Sequence, residues 1–121
     1  MILVDTSVWA DYFRVADLEL AAFLQRSEVI LHPFIIGELA LGFLRARSQT
    51  LADLAAMPQA TVASDAEVLA LIETQQLAGM GIGYVDAHLL AAVRLTPETW
   101  LWTRDKRLGS VAHRLGLSVP V

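Results

Sequence analysis

The sequence predicts an α/β fold whose mostly parallel sheet is covered by helices on both faces, and three observations lead there. Short apolar runs alternate with segments of helical periodicity, the pattern of parallel strands joined by helices. The runs are apolar on consecutive residues, as in strands buried on both faces. No Pro/Gly/Ser-rich linker divides the 121 residues, a length that suits one domain, so residues 1–121 are read as a single unit.

Ile2, Leu3 and Val4 form the first strand, which ends at the polar residues Asp5, Thr6 and Ser7. Val8 to Phe13 is expected to make one or two helical turns. Leu18, Ala21, Ala22 and Phe23 recur at helical spacing and predict a helix over Asp17 to Arg26. Val29, Ile30 and Leu31 make a second strand, closed by His32 and Pro33, because proline lacks the donor that a central strand needs. Phe34 to Arg47 reads as a helix apolar almost all round, and Thr50 to Met57 as a further short one. Thr61 and Val62 suggest a short strand. Ser64 and Glu67 have capping-box spacing before a helix reaching about Leu77. Gly79, Gly81 and Gly83 precede a helix from about Val85 to Leu95, after which Pro97 enforces a turn. Trp100 to Trp102 is a strand, Arg104 to Leu115 an amphipathic helix, and Leu117 to Val121 a last strand candidate.

Composition narrows the function. Hydrophobic residues are 55% of the chain and charged residues only 18%, so some apolar surface is expected to be covered by a second copy or another partner. The 9 Lys and Arg against 13 Asp and Glu give a formal charge of -4, the wrong sign for a bare nucleic-acid binder unless bound cations reverse it locally. Cysteine is absent, which excludes disulfides and thiolate metal sites. There is no basic leader and no long uniformly apolar stretch, so a soluble cytoplasmic protein is expected.

Four acids draw attention. Asp5 ends the first strand with hydroxyls beside it at Thr6 and Ser7; its plainer reading is a helix cap. Glu38 lies among apolar and small neighbours, where a carboxylate must reach solvent, be paired or bind a metal. Asp86 and Asp105 open later helices, and for each the plainer reading is again a cap. A parallel sheet gathers ligands beyond the carboxyl ends of its strands, which can bring Asp5 and Asp105 together. An oxygen-only set suits one or two Mg²⁺ or Mn²⁺ ions, which in nucleases activate water and stabilise attacking and leaving oxygens. Thr6, Ser7 and Thr103 are candidates to orient these groups, and Arg104, Lys106 and Arg107 to contact phosphate. Arg94 and Arg114 read as solvated charges. His32, His88 and His113 form no catalytic set. The three tryptophans read as packing residues, with Trp9 also able to lie at an interface or stack on a base.

The run Ile2-Leu3-Val4-Asp5-Thr6-Ser7-Val8-Trp9, with Glu38, Asp86 before Ala91-Ala92, and Thr103-Arg104-Asp105, resembles the PIN-domain ribonucleases, especially the VapC-like toxins of toxin–antitoxin pairs. The resemblance covers nearly the whole chain. It implies a three-layer α/β/α fold and a Mg²⁺- or Mn²⁺-dependent endoribonuclease whose metal ligands are Asp5, Glu38, Asp86 and Asp105. It further implies a homodimer and a cognate antitoxin whose C-terminal segment wraps over the toxin. The family often carries an Asn or Asp near the third acid and more acids after the fourth; here Tyr84, and Lys106 with Arg107, stand there. Two other classes compete on the residues alone. A phosphoacceptor receiver domain would want an acid beside Asp5 and leaves Glu38 without a role. A catalytically inert interaction module would use the acids only as caps.

Overall fold

Ile2, Leu3 and Val4 are all buried, which a strand achieves only between two neighbours and beneath helices on both sides. The computed structural model, which describes residues 1–120, places them there. Strand β1 (Ile2–Val4) leads into α1 (Thr6–Val15) and α2 (Leu18–Gln25). Strand β2 (Val29–Ile30) is followed by α3 (Pro33–Ala40), α4 (Arg47–Ala56), α5 (Asp65–Thr74) and α6 (Tyr84–Leu95), and β3 (Trp100–Trp102) by α7 (Lys106–Arg114). The sheet order is β2-β1-β3. Both pairings are parallel, with Leu3 opposite Ile30 on one side and Leu101 on the other. Single bridges from Leu31 to Gln59 and from Leu101 to Ser118 widen the sheet at its two edges. Helices on both faces complete the expected α/β/α sandwich around Leu3, Val4, Leu20, Ile35, Leu89 and Leu108.

This order matters for the site. From β1 the chain moves to one side to make β2 and later to the other side to make β3, so the connections diverge at the carboxyl end of β1. Such a switch point leaves a crevice between the loops. Asp5 follows β1 there and Thr103 follows β3.

Several expectations shift. The first helix runs to Val15, where Ala16 stops it in the left-handed conformation. The helix expected over Phe34 to Arg47 ends at Ala40. The Arg47 guanidinium turns back to donate to the carbonyls of Ala40 and Gly42, satisfying the helix end that the apolar pattern alone could not reveal. Released from the helix, Leu41 and Phe43 are each 91% exposed. Thr61 and Val62 form no strand, because the sheet contact falls two residues earlier at Gln59. The Thr61 amide instead donates to Thr96 Oγ1 at 3.0 Å. Of the last strand candidate, Ser118 bridges Leu101, and Val121 lies outside the described residues. Ser64 and Glu67 form the expected capping box. Trp9 is core, 2% exposed, with its ring stacked on Phe13 at 5.6 Å and edge-on to Tyr12 at 5.8 Å. That placement removes its interface and base-stacking alternatives.

His32 supplies a test of the core. It is fully buried at the end of β2, and its Nδ1 accepts the Phe34 amide at 3.0 Å to cap α3. Burial, and secondarily the charge of His88, pushes its pKa down from 6.5 to about 4. A histidine kept neutral in the folded state lends stability that is complete above its unfolded pKa and is lost as pH falls toward the folded value. Stability is therefore expected to drop by about 2–3 kcal/mol between pH 6.5 and pH 4 through this residue. Denaturant unfolding of the parent and of His32→Asn, which can still cap the helix, should show a shallower acid slope in the variant.

Candidate active site

The four acids stand on four different helices or their caps. Asp5 occupies the N-cap position of α1 but makes no capping bond. Its Oδ2 instead accepts hydroxyls from Ser7 at 2.9 Å and Thr103 at 2.7 Å, so the plainer capping reading does not hold for it. Glu38 is exposed near the end of α3, and its Oε1 accepts the Thr6 hydroxyl at 2.7 Å. Asp86 Oδ2 accepts the Gly83 amide at 2.9 Å from the first turn of α6. Asp105 caps α7, its Oδ1 taking the amides of Arg107 and Leu108 at 2.9 and 3.0 Å.

One regularity runs through all four. Each carboxylate has one oxygen held by the protein and a second with no hydrogen bond among the described residues: Asp5 Oδ1, Glu38 Oε2, Asp86 Oδ1 and Asp105 Oδ2. None of the four forms an ion pair with a basic side chain among the described residues. They also feel one another. Burial raises the Asp86 pKa above the ordinary carboxylate value, and the charges of Asp5, Asp105 and Glu38 raise it further against the Gly83 amide. Like charges gathered without a counter-ion destabilise a site, and a bound cation removes that cost.

The cluster remains open in this arrangement: among the described residues no three His, Asp or Glu side chains close tightly enough to hold a metal ion by themselves. The long-range repulsion and the loose geometry agree if the acids ring a shared space rather than meet at a point. An all-oxygen set of this kind fits Mg²⁺ or Mn²⁺, which are held by a few carboxylates with water completing the shell.

The surrounding residues divide. Ser7, Thr103 and Asp5 form one hydrogen-bonded group, with the Asp105 amide donating to Thr103 Oγ1 at 3.1 Å and the Arg104 amide to Ser7 Oγ at 3.0 Å. The strand-end loops of β1 and β3 are thereby locked together. Arg104 departs from its expected phosphate contact. Its guanidinium is bound by Asp11 at 2.6 Å and by Asp17, and this pairing lowers both carboxylate pKa values. Asp11 and Asp17 went unnoticed in the sequence because their partner lies more than eighty residues away; no local spacing announces them. Lys106 and Arg107 are exposed and carry no carboxylate partner among the described residues. Arg107 lies across Gly81, which has φ +79°. A Cβ there would come within 2.7 Å of Arg107 Cδ, so this glycine gives the arginine its seat.

Residues 2–114 match the PIN domain family. The chain belongs to the PIN domain family. The match takes in all three strands and all seven helices of the described fold. Among characterised proteins the chain is similar to Ribonuclease VapC32 in each of two strains of Mycobacterium tuberculosis. Either alignment is 44% identical over 119 residues and covers 98% of this chain and 96% of the relative. PIN membership places the four acids on a scaffold shared along nearly its whole length with a ribonuclease.

Proposed function

We propose that this PIN domain is a divalent-metal-dependent endoribonuclease and the toxin of a toxin–antitoxin pair. What supports the reading is that four acids, each with one oxygen anchored, stand in a chain similar over 98% of its length to Ribonuclease VapC32. Asp5, Glu38, Asp86 and Asp105 would hold one or two Mg²⁺ or Mn²⁺ ions. Bound there, the cation supplies Lewis acidity for hydrolysis of an RNA phosphodiester and offsets its negative charge.

The protein's own work is positioning. Ser7, at the start of α1, and Thr103, in the loop after β3, fix the same oxygen of the Asp5 carboxylate, and Thr6 fixes Glu38. Helix starts orient Asp86 and Asp105 through backbone amides, which cannot rotate away. Lys106 and Arg107, free of carboxylates, are suited to neighbouring phosphates. The assay is cleavage of labelled RNA by purified protein with Mg²⁺ or Mn²⁺, with chelator as control. Activity that survives complete chelation, or none under any of these ions, ends the reading. Thr103→Val keeps the shape of the side chain but removes the hydroxyl between Asp5 and Asp105. It is expected to lower cleavage about ten- to a hundredfold, the usual cost of losing a group that orients a ligand, with the fold intact by circular dichroism.

A groove of about 930 Å³ opens beside Glu38 between α1, α2, α3 and the start of α4, lined by Phe13, Leu18, Phe43 and Arg45 among others. Its apolar rim, with Leu18 83% exposed, supports docking of an amphipathic antitoxin segment close enough to obstruct the acids. The apolar excess supports a homodimer as well. No helix among the described residues is long and apolar enough to cross a membrane, and the proposed place of action is the cytoplasm, where the RNA substrate is.

A further inference from the structure

The two sides of the acidic crevice are chemically unlike. On the α7 side stand Lys106 and Arg107, cations without carboxylate partners. Where α3 and α6 begin stand rings. Phe34 and Tyr84 are 37% and 46% exposed, and between them lies the buried ring of His88, 4.7 Å from Phe34 and 4.8 Å from Tyr84, edge to face in each case. His32 backs Phe34 at 5.0 Å. Phe34 lies one helical turn before Glu38, on the same side of α3, and Tyr84 lies two residues before Asp86 at the start of α6. Both exposed rings therefore stand on helices that carry an acid, Phe34 on the Glu38 face of α3 and Tyr84 in the first turn of α6 with Asp86.

They are also held. The Tyr84 hydroxyl donates to Asp65 at 2.8 Å, and His88 Nε2 lies 3.1 Å from the same carboxylate oxygen. Burying His88 under two aromatic edges, with its Nδ1 unpartnered, costs hydrogen bonding and yields a rigid aromatic floor at the surface. Such a floor has the Asp65 carboxylate beside it, which repels phosphate. A nucleobase, uncharged and with a π face, fits it, while the strand's phosphates run toward Lys106 and Arg107.

We propose that Phe34 and Tyr84 form a base-stacking subsite that seats a nucleotide next to the scissile bond of single-stranded RNA. The proposal rests on the ribonuclease reading and deepens it. Base–aromatic stacking of ordinary strength corresponds to about a tenfold change in substrate affinity per ring. Phe34→Ala and Tyr84→Ala should each raise KM about tenfold with kcat changed far less, whereas Tyr84→Phe, which keeps the ring and loses the Asp65 bond, should stay within about threefold of the parent. The decisive readout is coupling to the substrate. An RNA with one abasic position moved stepwise along it should, at one place beside the cut, cost the parent about tenfold and cost Tyr84→Ala or Phe34→Ala nothing more. A 2-aminopurine placed there should be quenched on binding to Asp5→Asn protein and stay bright on the same protein carrying Tyr84→Ala.

If the parent cleaves RNA but both alanine variants keep its KM and its abasic penalty, the subsite is wrong and the nuclease reading stands. If those variants cleave normally but change the molecular mass in solution, the rings belong to a protein–protein interface and the subsite is likewise overturned. A parent that leaves RNA intact overturns both.

Discussion

Asp5→Asn is expected to fold as the parent does and to lose RNA cleavage by roughly 10³-fold, an effect comparable with or above removal of one well-placed electrostatic group from an active site. The substitution is chosen for what it spares. An asparagine carbonyl oxygen can still accept the hydroxyls of Ser7 and Thr103, which hold Oδ2 at 2.9 and 2.7 Å. The buried contact between the β1 and β3 loops therefore survives. What disappears is the negative charge and the uncommitted Oδ1, the two properties that a hard cation needs from this position. Asp5→Ala would be a poorer experiment, because it strands two hydroxyls in a residue environment only 7% exposed. Single-turnover cleavage of a labelled RNA with Mn²⁺, beside melting curves of the same preparations, separates lost chemistry from lost fold. Parent-like cleavage by a folded Asp5→Asn protein would remove the acids from the mechanism.

Saturating Mn²⁺ or Mg²⁺ is expected to raise the melting temperature of the parent by roughly 10 °C, since a ligand at a hundred times its Kd adds about 2.7 kcal/mol to a domain of this size. Asp86→Asn should invert that behaviour. In the metal-free protein the raised pKa of Asp86, caused first by burial and then by Asp5, Asp105 and Glu38, means that carrying the charge in the fold costs stability. Neutralising it relieves the repulsion, and asparagine can still accept the Gly83 amide. Asp86→Asn is expected to melt a few degrees above the metal-free parent, gain little or nothing from added ion, and cleave no RNA. An ion-induced shift of equal size in both proteins would show that the cation binds elsewhere.

How far the chain could be read in advance depended on the range of the interaction concerned. Ile2 to Val4, Val29 to Leu31 and Trp100 to Trp102 announce strands because burial on both faces leaves no room for polar residues. Ser64 with Glu67 announces a helix start because the capping box closes within four residues. The end of α3 stayed hidden, because it is made by Arg47 reaching back to two carbonyls across a turn that the apolar run from Phe34 to Leu44 disguises. The acids were recognisable by type and neighbourhood, but their division of labour between anchored and uncommitted oxygens needs coordinates. Arg104 shows the same limit from the other side. Beside Asp105 it looks like a phosphate ligand, yet Asp11 and Asp17, distant in sequence and close in space, engage it first.

Strand β3 lies directly against β1, and the Asp5 carboxylate is completed by Thr103, 98 residues further on. A chain still being synthesised can thus form β1 and α1 while the Asp5 carboxylate lacks one of the two hydroxyls that hold it. Competence arrives only when the stretch from Trp100 through α7 has been made and slots beside β1. For a protein that destroys RNA, this order of events keeps a partly made copy harmless until both halves of the Asp5 contact exist.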